Sequence, residues 1–128
     1  IFRSKETYQR GYQMSPEKLT ESSCVACRED APLVTQEEIE ELKPQIPAWE
    51  IQKTNGIDRL ICAFSFDNYL AGLEFVSKVA NLAEEEDHHP EITLEWGKVT
   101  VSWWSHKIKG LHRNDFIAAA KTDNLFSR

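Results

Sequence analysis

The 128-residue sequence has little glycine or proline, five of each, so it is neither collagen-like nor a low-complexity chain. No apolar run approaches the roughly 20 residues that span a bilayer, and no signal-peptide core is visible. Cations are in deficit: 15 Lys and Arg against 21 Asp and Glu give a formal net charge of −6. Nucleic acid and anionic membrane reward basic surfaces, so neither is an expected partner. Cysteine is sparse and odd in number: Cys24, Cys27 and Cys62. The CVAC stretch of Cys24 to Cys27 lacks the second close pair that a four-ligand structural zinc needs. It also lacks the βαβ surroundings of a redox CxxC. The three read as incidental reduced thiols, and the expected compartment is the cytoplasm. Histidine is also sparse, with four in the chain, yet three of them fall between Glu84 and His106.

What remains is an ordinary globular composition, 41% hydrophobic and 28% charged, sized for one domain. Residues 1–13 show no apolar period and precede Met14. They read as an N-terminal extension, disordered, vector-derived or left from a targeting peptide, ahead of a single domain over residues 14–128. Regular structure is expected to begin near Leu33. Thr35 and Glu38 have capping-box spacing and start a short helix that stops before Pro44. Trp49 to Lys53 and Arg59 to Phe66 read as strands joined at Asn55-Gly56, a hairpin-turn pair. Asp67 is the expected N-cap of a long helix over residues 68–86.

On that helix Ala71, Leu73, Phe75, Val76, Val79, Ala80, Leu82 and Ala83 share an apolar arc of roughly 200°, about twice the stripe of a one-sided surface helix. Two buried surfaces are implied: the helix's own sheet and, in so short a chain, a partner subunit. A hairpin follows. Ile92, Leu94 and Trp96 alternate with polar residues, as do Val99, Val101 and Trp103. A turn at Gly97-Lys98 would oppose Trp96 to Val99 and Ile92 to Trp103, with all six residues on one apolar face. A last helix is expected over residues 113–121. The order α-β-β-α-β-β-α, with hairpins in place of long crossovers, predicts an α+β fold: a four-stranded antiparallel sheet with helices on one face.

Extended past Pro90, that register opposes His89 to His106 on the less apolar face, beside Trp104. His88 sits in the preceding loop, with Glu84 one helical turn before it and Asp87 adjoining. Asp115 stands near the start of the last helix. Singly, such residues usually cap helices or face solvent. Together they point to one of two chemistries. Neutral imidazoles and carboxylates can ligate a transition metal. Alternatively, imidazoles, which as a type titrate near neutrality, can move protons.

The spacing acid-x-x-x-His-His-Pro, an aromatic seven residues after the second His, a His ten further on and an Asp nine later is met by Glu84, His88-His89-Pro90, Trp96, His106 and Asp115. With LAEEEDHHPEITLEWGKVTV and GLHRNDFIAAAKTD around it, and with Pro47-Ala48-Trp49 and CVAC, the chain resembles the pterin-4a-carbinolamine dehydratases from about Leu19 to Phe126. It departs at His112, where the family usually carries Ser or Thr, and a weaker helix cap is expected there. The resemblance implies dehydration of 4a-hydroxytetrahydropterin to quinonoid dihydropterin, recycling the tetrahydrobiopterin of an aromatic amino acid hydroxylase. It implies His88, His89 and His106 as catalytic groups, without metal or cofactor. Glu84, Asp87 and Asp115 would orient imidazoles or contact the pterin, Trp104 would border it, and Trp96 would mainly pack. A homo-oligomer, a tetramer or dimer of dimers, is implied too. The alternative is a dimerisation cofactor for a transcription factor, a role of animal members that uses the broad helix face.

Overall fold

The structure is a computed structural model and describes residues 18–24 and 31–126. The extension over residues 1–13 and Cys27 lie outside the described residues. The seven principal elements run α1 (Gln36–Leu42), β1 (Glu50–Thr54), β2 (Ile57–Ser65), α2 (Tyr69–Glu86), β3 (Glu91–Glu95), β4 (Lys98–Trp103) and α3 (Arg113–Leu125). They form one antiparallel sheet in the order β1-β2-β4-β3, with the helices against one face, the α+β arrangement expected.

Local chemistry explains most boundaries. Thr35 Oγ1 accepts the Glu38 N–H at 3.1 Å and the Glu38 carboxylate accepts the Thr35 N–H at 2.9 Å, so two unpaired donors of α1 are satisfied at once. Asn55 and Gly56 both take positive φ, 52° and 79°, as a two-residue hairpin turn requires. The cap of α2 is Asn68 and not Asp67: its side-chain oxygen accepts the Ala71 N–H at 2.8 Å. The last helix runs four residues further than expected. Thr122, instead of ending it, bonds its hydroxyl to the Ala118 carbonyl at 2.7 Å and accepts the Trp103 indole N–H at 3.1 Å.

The β3–β4 register differs from the expected one by two residues. Leu94 faces Val99 and Ile92 faces Val101, and the turn is Trp96-Gly97 with Gly97 at φ 77°. A shift of two keeps every side chain on its own face, so Val99, Val101 and Trp103 are still buried. Trp96 alone leaves the apolar face and stands 71% exposed at the turn. It is not a packing residue in this chain. The Gly97 carbonyl accepts the Phe66 N–H at 2.9 Å, a contact from another hairpin that holds the turn in this register.

The sheet's apolar face contributes Leu60, Phe64, Val99, Val101 and Trp103 to a core completed by Phe75, Val79 and Leu82 of α2 and Phe116 to Ala120 of α3. Regular packing also starts earlier than Leu33. Leu19, in a 3-10 turn over Leu19–Glu21, is fully buried, and its N–H is held by the Gln45 side chain at 3.0 Å. Of the wide arc on α2, Phe75, Val79, Leu82 and Ala83 face the core. Leu73 and Ala80 stay exposed, as do Tyr69 and Leu70 alongside them. Part of the helix's apolar surface, around Tyr69, Leu70 and Leu73, is therefore uncovered in the single chain.

Candidate active site

The end of α2 delivers the two adjacent histidines. Asp87 takes the left-handed conformation, φ 51°, and the His88 N–H reaches back to the Ala83 carbonyl at 3.1 Å, a Schellman closure. Asp tolerates this conformation better than most residues. Asp87 is thus the pivot that turns the chain into His88-His89-Pro90. Its exposed carboxylate makes no hydrogen bond to any of the three histidines.

The histidines divide into an inner one and an outer pair. His88 is buried, 7% exposed. Its ring stacks against Trp103 with centroids 5.4 Å apart, and its Nε2 lies 2.6 Å from Asp115 Oδ1. A carboxylate only accepts, so Nε2 carries the proton. Asp115 is fully buried at the third position of α3. Its other oxygen accepts the Ser105 hydroxyl and the His112 N–H, each at 2.9 Å. One carboxylate therefore gathers donors from the α2–β3 loop, the segment after β4, and the cap of α3. The weak cap expected at His112 is corrected: its Nδ1 accepts the Asn114 N–H at 3.0 Å while its own N–H is taken by Asp115.

The outer pair is His89 and His106. His89 projects into solvent with its side chain 55% exposed, and its Nε2 donates to Glu84 Oε2 at 2.6 Å. The helical turn between Glu84 and the end of α2 sets this contact. His106, also exposed, donates from Nε2 to the His89 carbonyl at 3.2 Å, and its ring stacks on Trp104 at 4.4 Å. The two imidazoles do not face each other across paired strands, as the expected register had it. The observed register, extended, sets His89 across from Trp104, and His106 reaches back to the His89 backbone from beyond the strand end. The outcome for chemistry is similar. Each ring commits Nε2–H to a fixed acceptor and keeps Nδ1 for something else. A neutral ring thus offers a base at Nδ1, and a protonated ring offers an acid. Trp104, expected to border a substrate, is only 9% exposed. It is covered by the Arg59 guanidinium, 3.8 Å over its ring, and contacted by His106.

Three supports were not foreseen in the sequence. Ser105 anchors Asp115. Arg59 covers Trp104. The third is the junction of Cys24, Glu86 and Lys121. There the Cys24 N–H donates to Glu86 at 2.7 Å, the Lys121 ammonium donates to the same carboxylate at 2.8 Å, and Cys24 Sγ approaches the Asn114 carbonyl at 3.6 Å. Burial, aided by the neighbouring Glu86 charge, pushes the Cys24 thiol up to about 12. The group is therefore a packed thiol and not a reactive thiolate. Burial would raise the Glu86 carboxyl, but the donors Cys24 N–H and Lys121 outweigh it and hold the group below its ordinary value. Among the described residues no three His, Cys, Asp or Glu side chains converge as a metal-ligand set.

The α+β domain thus brings two exposed imidazoles together, His89 on the turn after α2 and His106 beyond the end of β4. A sequence model of the family described as pterin 4 alpha carbinolamine dehydratase matches residues 32–125, and the chain belongs to that family. Two relatives carry the name "Putative pterin-4-alpha-carbinolamine dehydratase". The one from Saccharophagus degradans is 53% identical over 108 residues, 84% of this chain and 96% of the relative. The one from Nitrosococcus oceani is 55% identical over 109 residues, 85% of this chain and 96% of the relative. Among solved structures, a transcriptional coactivator/pterin dehydratase from Brucella melitensis superposes with a TM-score of 0.65 at 26% identity, covering 73% of this chain and 98% of that one. A pterin dehydratase-like protein identified as a RuBisCO assembly factor in the alpha-carboxysome shares the fold, with a TM-score of 0.51 at 24% identity over 61% of this chain and 88% of that one.

Proposed function

We propose that the protein removes water from 4a-hydroxytetrahydropterin to give quinonoid dihydropterin, with His89 and His106 as the proton-transfer pair. The observation that carries this reading is their shared geometry. Both rings are exposed, both have Nε2 engaged, and the Nε2 of one bonds the backbone carbonyl of the other. In the reaction the C4a–O bond breaks and the hydroxyl leaves as water, taking a proton from an imidazolium. The N5 lone pair forms the C4a=N5 bond, and the N5 proton passes to a neutral imidazole. Acid and base steps of this kind each contribute typically 10²–10⁴-fold. His88 and Asp115 hold the turn on which His89 stands, and Glu84 fixes the His89 ring. In this reading the adduct is supplied by an aromatic amino acid hydroxylase, and the proposed compartment is the cytoplasm.

The test is stopped-flow decay of 4a-hydroxytetrahydropterin with protein that has been exhaustively chelated. Acceleration over buffer, unchanged by chelation, supports the reading. Activity that vanishes on chelation and returns with zinc or iron would replace proton transfer by metal chemistry.

The same reading includes a homo-oligomer, a tetramer by family resemblance. Tyr69, Leu70 and Leu73 on α2 and Trp96 at the β3–β4 turn are all more than 40% exposed. Covering such side chains is worth about 1.5–3 kcal/mol each. Light scattering at micromolar concentration is expected to give a multiple of the monomer mass. A monomer throughout that range would leave the uncovered face to another partner, the transcription-factor alternative, for which retention of such a factor by this face is the assay.

A further inference from the structure

Arg59 stands on the sheet face turned away from the helices. It lies on β2, while its charge partner Glu91 lies on β3, and β4 runs between those two strands. The side chain therefore crosses β4. Its guanidinium rests 3.8 Å above the Trp104 ring, and its Nη1 reaches to 3.7 Å from Glu91 Oε1. Ser102 lies beneath this crossing: it pairs with Ile61 on one side and Glu91 on the other. Among the described residues, the buried side-chain polar atoms left without a hydrogen bond are Arg59 Nε and Ser102 Oγ.

That combination is costly for a group that only covers a surface. A buried, unpaired N–H carries a desolvation penalty. An unbranched apolar side chain of similar length would shield Trp104 without it. What the apolar side chain would lack is a planar cation on the indole face, with a carboxylate from another strand as its ion-pair partner. Both ends of the Arg59 arm lead to the outer histidine pair. Trp104 is the ring on which His106 stacks at 4.4 Å. Glu91 is two residues after His89, whose carbonyl holds His106 Nε2 at 3.2 Å.

We propose that Arg59 is a positioning residue: it clamps Trp104 and, through it, fixes the His106 ring against the His89 segment. This rests on the dehydratase reading for its effect on rate, but not for its effect on geometry. His106 is exposed and lies beyond the end of β4, so its contacts to the Trp104 ring and the His89 carbonyl are what set its direction. With Arg59 shortened or uncharged, the indole loses the group pressed on it and His106 loses a fixed platform. Misplacement of a reacting group by about 1 Å can cost on the order of 10²-fold in rate.

The experiment compares wild type with Arg59→Met and Arg59→Lys in two ways. Steady-state dehydration gives kcat and KM separately, and NMR of the His106 ring protons reports the upfield ring-current shift imposed by a stacked indole. Arg59→Met is expected to lose about tenfold or more in kcat with a smaller change in KM. Its His106 ring protons are expected to move toward their unstacked positions. Arg59→Lys keeps the charge but not the planar stack, and is expected to change in the same direction by less. Unchanged His106 ring shifts in folded Arg59→Met overturn the proposal, as does a kcat equal to wild type. If Arg59→Met does not fold, the same two readings on Arg59→Lys decide it. If wild type itself does not accelerate dehydration, the dehydratase reading falls, and the ring shifts still decide whether Arg59 positions His106.

Discussion

His106→Ala is expected to lose at least about tenfold in dehydration rate while its melting temperature stays close to wild type. The ring is exposed and, among the described residues, stacks on Trp104 and bonds the His89 carbonyl, so its removal opens no core cavity. His89→Ala is expected to behave alike, since its side chain is 55% exposed and its partner Glu84 is more exposed still, at 78%. Combining the two substitutions should cost less than the product of the single losses, because groups acting on one transition state are not additive. Normal turnover with lowered thermal stability in the single variants would make these imidazoles structural.

Asp115→Ala is expected to show the opposite balance, with both stability and rate falling. The carboxylate is fully buried and accepts from His88 Nε2, the Ser105 hydroxyl and the His112 N–H. Removing it strands the buried His88 and Ser105 donors, leaves the part-buried His112 N–H unpaired, removes one half of the α3 capping box and releases the ring that stacks on Trp103. Breaking a buried pair of this kind costs about 3–5 kcal/mol. For a domain of this size that corresponds to a fall in melting temperature of roughly 10 °C or more. Calorimetry and turnover on the same preparation check it. A melting temperature near that of wild type would mean that the inner cluster does not hold the turn.

The two substitutions probe parts of the site that were unequally legible in the sequence. The outer pair was visible because its signals are local or periodic: His88-His89 follows a helix end, and a hairpin must bring residue 106 back toward residue 89. Thr35, Asn55-Gly56 and the apolar period of α2 were legible for the same reason. Side-chain parity alone does not distinguish a turn at Gly97-Lys98 from one at Trp96-Gly97. The choice depends on the Phe66 N–H finding the Gly97 carbonyl, which no local pattern announces. Asp115 stood out as a carboxylate, but its attachment to His88 and not to the outer pair depends on how α3 packs on the sheet. Ser105 and Arg59 were missed because a serine after a strand and an arginine within one carry no signal until the strand order is known. Leu19 was missed because its segment has no period, and a single leucine is buried only because α3 lies over it.

The most direct measurement of the central claim is the stopped-flow decay of 4a-hydroxytetrahydropterin with wild type, with the His89→Ala/His106→Ala double variant and with buffer, all at one pH near neutrality. Wild type is expected to speed the decay by at least about 10²-fold over buffer. The double variant, folded and of the same assembly state, is expected to fall most of the way back to the buffer rate. A wild-type protein no faster than buffer, or a double variant as fast as wild type, would contradict proton transfer by His89 and His106.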